Sequence, residues 1–81
     1  MKEKVKEIIG DSLQDLGLTI DSVVYEKESG HNFLRICLDS PDIIDLDLIV
    51  KATNIINPLM DKAELINEEY HLDIYGKSKG K

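Results

Sequence analysis

The chain has 81 residues, 42% of them hydrophobic and 32% charged, enough for one small core and too few for two. Sixteen acids against ten Lys and Arg leave a net charge of −6, which argues against an autonomous nucleic-acid binder, because phosphate backbones recruit cations. No apolar run reaches the roughly 20 residues of a membrane span, Met1-Lys2-Glu3-Lys4 opens an amphipathic segment rather than a leader, and one cysteine, Cys37, excludes an intramolecular disulfide, so a cytoplasmic protein is expected.

Val5, Ile8, Ile9, Ser12, Leu13 and Leu16 recur at spacings of three and four, the signature of one helix face. Lys4, Lys6, Glu7, Asp11 and Gln14 fall elsewhere, and Gly17 reads as the left-handed stop. A helix is predicted over about residues 2–16. Leu18 to Lys27 is rich in β-branched and aromatic residues, with Val23 and Tyr25 on one side and Val24 on the other. Glu28 to Asn32 is turn material. Phe33 to Asp39 then alternates, Leu34, Ile36 and Leu38 against Phe33, Arg35 and Cys37, so the two runs make an antiparallel hairpin.

Ser40-Pro41-Asp42 breaks the second strand, and Asp45 is placed to cap a second helix whose positive end suits Asp47. Leu46, Ile49, Val50, Thr53, Ile56 and Met60 form its expected buried stripe. Pro58 removes a backbone donor, so the helix is placed at 45–56, kinked or ended near Asn57, with an extra turn allowed through 57–61. Leu65 and Ile66 anchor an acidic stretch. Tyr70 to Tyr75 is a third strand, Tyr70, Leu72 and Ile74 against His71, Asp73 and Tyr75. The expected fold class is α+β, in the order α-β-β-α-β, with two helices packed on one face of a three-stranded sheet. A single domain is expected over 1–76, with a flexible basic tail at 77–81, where Lys77, Lys79 and Lys81 hold three of the ten bases.

This order, with these residues in it, resembles the N-terminal domain of the RimP family of ribosome maturation factors. The resemblance is carried by Leu16-Gly17-Leu18 closing the first helix, Val23-Val24-Tyr25 in the first strand, Leu34-Arg35-Ile36-Cys37-Leu38-Asp39 in the second, Ile44-Asp45-Leu46-Asp47 with Thr53 and Met60-Asp61 in the second helix, and Tyr70-His71-Leu72-Asp73-Ile74 in the third strand. It spans residues 5–74. It implies a non-catalytic assembly factor that binds the immature small (30S) ribosomal subunit, through a basic ribosomal protein, 16S rRNA or both. The family's second domain, a small β-barrel, is expected to be absent, since Tyr75-Gly76-Lys77-Ser78 stands at its junction. The domain shape is also similar to type II KH domains, which clamp single-stranded RNA with a Gly-x-x-Gly loop. Gly76 and Gly80 lie four apart and past the last strand, so that loop is missing. A KH-like RNA-binding module and a small dimeric adaptor remain the alternative readings.

Enzymatic chemistry finds little support. Cys37, His31 and His71 would have to converge with an acid, and only Cys37 and His71 could share a sheet face. Two histidines forty positions apart match no zinc spacing, and Asp39, Asp42, Asp45 and Asp47 lack the glycine and closing glutamate of a calcium loop. Gly76-Lys77-Ser78-Lys79-Gly80-Lys81 lacks the order and the strand–loop–helix setting of a phosphate loop. No catalytic residue, metal, cofactor or small-molecule substrate is expected. The candidate interaction surface is the outer sheet face, through Phe33, Arg35 and Tyr75, residue types enriched at interfaces. The same residues can equally be cross-strand pairs that stabilise the sheet.

Overall fold

The computed structural model describes residues 2–77. Helix α1 spans Lys2–Gln14, strands β1 and β2 span Thr19–Glu28 and His31–Asp39, helix α2 spans Leu46–Ala63 and strand β3 spans His71–Gly76. This is the predicted α-β-β-α-β order. Strand β2 is central, antiparallel to β1 and parallel to β3. Of the expected basic tail at 77–81, only Lys77 belongs to the described residues, and 78–81 lie outside them.

The core forms where the two periodicities meet. Leu34, Ile36 and Leu38 of β2 are fully buried beneath Val5, Ile9 and Leu13 of α1 and Ala52, Ile56 and Met60 of α2. Val23, Tyr25, Leu72 and Ile74 flank them from the outer strands. Helix α1 ends as its sequence dictates. The Leu18 N–H donates to Leu13 O at 3.0 Å and the Gly17 N–H to Gln14 O at 2.9 Å, with Gly17 at φ +74°. That bond pair is a Schellman motif, and Leu13 and Leu18 supply its buried apolar contact.

Three local expectations are corrected. The first turn is shorter than Glu28 to Asn32: Ser29 and Gly30 alone join β1 to β2, both at positive φ, and Glu28 pairs with His31. Positive φ at both central residues matches the twist of the two strands, so a two-residue loop suffices. Helix α2 does not stop near Asn57 but continues to Ala63. Pro58 and Asn54 are both exposed, so the carbonyl that loses its donor belongs to a residue on the solvent side. The buried stripe of α2 is rotated from the predicted one. Ala52 is fully buried and Leu48 and Leu59 pack against the core, whereas Leu46 and Val50 are exposed. The inward side of α2 is therefore the one that carries Ala52, Ile56 and Met60.

Strand β1 also carries a bulge. Ile20 pairs with Leu38 and Ser22 with Cys37, so Asp21 is the extra residue. The bulge lets Ile20 and Val23, three positions apart, both face the core.

Candidate interaction face

Helices cover one face of the sheet, and the other face carries alternate residues of all three strands. Its rows follow from the register: Glu26 opposite Phe33 and His71, Val24 opposite Arg35 and Asp73, Ser22 opposite Cys37 and Tyr75. The three residues singled out from sequence therefore share this face. Phe33 and Arg35 are brought together, the guanidinium carbon lying 4.9 Å from the ring centroid. Tyr75 stands apart, beside Cys37 at the other end of β3, and is 42% exposed.

Arg35 is the electrostatic centre of the face. It forms ion pairs with Glu26, with Glu28 at 3.0 Å and with Asp73 at 3.6 Å. Three carboxylates converge on one guanidinium because β1 and β3 flank β2 and present their acids at neighbouring rows. Phe33 stacks on the His71 ring at 5.1 Å between centroids, and His31 meets His71 edge-on at 5.6 Å. Glu26 and Glu28 are not among the residues that the sequence singles out, and His31 enters there only as a catalytic candidate. The alternation of β1 carries the signal for the two glutamates, but only a two-residue turn sets the register that aims them at Arg35.

At the far end of the face, Asp21 and Lys77 pair at 3.2 Å. The Asp21 hydrogen bond and charge, with Asp39 adding, hold the Lys77 ammonium above its ordinary range. Cys37 lies beneath this corner and is 5% exposed. Burial pushes its thiol up, the Asp21 carboxylate adds to that, and Lys77 and a hydrogen bond from Tyr75 oppose it. His71 pairs with Phe33 while Cys37 pairs with Tyr75, four positions further along. That is about 13 Å of strand, too far for a thiol–imidazole pair.

The fixed charges of the face are Asp21, Glu26, Glu28, Asp39 and Asp73 against Arg35 and Lys77. A second acidic region lies at one edge of the molecule. An open cleft of about 830 Å³ is lined by Asp61, Glu64, Glu68 and Glu69 with no Lys or Arg, and the negative end of α2 adjoins it. Asn32 pins its rim by donating to Glu68 Oε1 and Glu69 O, each at 3.0 Å. Tyr70 beside it has its hydroxyl pKa raised by burial and by the nearby Asp61 and Tyr25. Among the described residues no group of three His, Cys, Asp or Glu is arranged to hold a metal ion. No helix among them is long and apolar enough to cross a membrane.

A family model described as the RimP N-terminal domain matches residues 8–76. The match takes in most of α1 and every other element of the fold.

Proposed function

The chain belongs to the RimP N-terminal domain family, whose members are ribosome maturation factors, and from that premise we propose that it binds the immature small ribosomal subunit in the cytoplasm without catalysing a reaction. The contact is made by the outer sheet face, through Phe33, Arg35, Tyr75 and the carboxylates around them, and it falls on a basic ribosomal protein rather than on rRNA.

One observation carries the choice of partner. Arg35 is enclosed by Glu26, Glu28 and Asp73, so the cation nearest the centre of the face is already neutralised. An RNA phosphate arriving there would meet three carboxylates first. A lysine or arginine of a protein partner meets the same carboxylates favourably, with the Phe33 and Tyr75 rings supplying apolar area. The acidic cleft at the sheet edge adds to the same field and repels phosphate in the same way.

Co-sedimentation of the chain with immature small subunits, mature small subunits and large subunits, at low and high salt, tests this reading. Selective association with immature small subunits is expected, weakening with salt by less than phosphate-dominated binding does. Equal association with all three particles would overturn it.

A further inference from the structure

Among the described residues, three of the five exposed large apolar side chains lie within eight residues at the start of α2: Ile43 at 88% exposure, Leu46 at 76% and Val50 at 49%. Leu46 and Val50 are one helical turn apart on one face. Ile43 precedes the cap residue Asp45, whose carboxylate accepts from the Leu48 N–H at 2.9 Å. Their neighbour Ile44 is instead turned inward and packs on the core, lying so close to Gly76 that a Cβ there would come within 3.2 Å of it. Ile44 and Ile49, on either side of the cap, both pack on the core in the manner of a hydrophobic staple, so the backbone that presents the exposed trio is fixed. Asp42, Asp45 and Asp47 alternate with the trio along the chain and are exposed, as is Lys51.

We propose that this apolar patch is a docking site for a short protein segment in which apolar side chains alternate with lysine or arginine. The apolar trio needs apolar partners, and the exposed carboxylates of Asp42 and Asp47, which do not cap the helix, favour cations. A nucleic acid would bring phosphates against the aspartates and nothing for Ile43, Leu46 and Val50. An anionic membrane is repelled for the same reason. A second copy of the chain would set the aspartates of one patch against those of the other. The size of the patch, about two turns of helix with its lead-in, suits a segment rather than a folded domain. The site lies on α2 and not on the outer sheet face, so it stands whether or not that face engages the small subunit.

The test is amide chemical-shift mapping on the isotope-labelled full chain, titrated with two short peptides that share their leucine positions and carry either lysines or glutamates between them. Shifts centred on residues 43–51 with the lysine peptide, and none with the glutamate peptide, are the expected result. The Leu46→Gln/Val50→Gln variant should weaken binding about tenfold or more while its thermal midpoint is unchanged, since both side chains are exposed. The Asp42→Asn/Asp47→Asn variant should weaken it as well. Shifts centred on Glu26, Glu28 and Asp73 or on the acidic cleft, equal binding of the two peptides, or no binding at all would each overturn the proposal.

Discussion

The carboxylate of Asp21, the residue that bulges out of β1, lies 3.2 Å from Nζ of Lys77, the residue that follows β3. The pair spans the central strand, and the Lys77 N–H donates to Leu38 O at 2.7 Å beneath it. Both side chains are about half or less exposed, so the ion pair is partly screened by water. Asp21→Asn is therefore expected to change stability little. Deleting Asp21 is a different change, because it removes the bulge and turns Ile20 out of the core. Its expected cost is about 2–3 kcal/mol. Urea denaturation of the two variants separates the charge from the geometry.

Cys37 makes a prediction with a definite sign. Its folded thiol titrates above the ordinary value of 9.0, chiefly through burial. Above that value the unfolded chain has lost a proton that the native state still holds, so the stability tied to Cys37 is fully present below pH 9 and falls as pH rises beyond it. Denaturation curves at neutral pH and above pH 9 should show the wild-type chain losing more stability than Cys37→Ala. The same burial should make the native thiol slow to alkylate at neutral pH, and unfolding should release it.

The Tyr25 hydroxyl is buried with no hydrogen-bond partner among the described residues. A desolvated donor without a partner opposes folding. Tyr25→Phe keeps the ring in the core and removes that group, so it should raise stability by roughly 1 kcal/mol in urea denaturation. A loss of stability would mean that the hydroxyl is satisfied.

Much of this architecture was legible in the residues. The alternation of Leu34, Ile36 and Leu38 against Phe33, Arg35 and Cys37 placed β2 and its two faces correctly, and Asp45 caps α2 as its position predicted. What escaped depended on contacts that no local pattern encodes. Leu46 and Val50 have the right spacing and hydrophobicity for a buried stripe, but the side of α2 that is buried carries Ala52, Ile56 and Met60. Pro58 reads as a helix end because the loss is local, while exposed Asn54, whose carbonyl loses its donor, is four residues away. The three residues proposed as an interaction surface do lie on one face, yet the carboxylates that enclose Arg35 come from two other strands. Only the register of a two-residue turn and a parallel pairing brings them there.

The most direct test of the central reading is charge reversal on the acidic outer face. Glu26→Lys/Glu28→Lys removes two of the three carboxylates around Arg35 from exposed positions, and its fold is checked by circular dichroism. Its association with immature small subunits is then compared with that of the wild-type chain by co-sedimentation. The expected result is a folded variant whose association falls by about tenfold or more, because a basic partner now meets a basic patch. Unchanged or stronger association by the folded variant would contradict a protein contact at this face and would favour an RNA phosphate there instead.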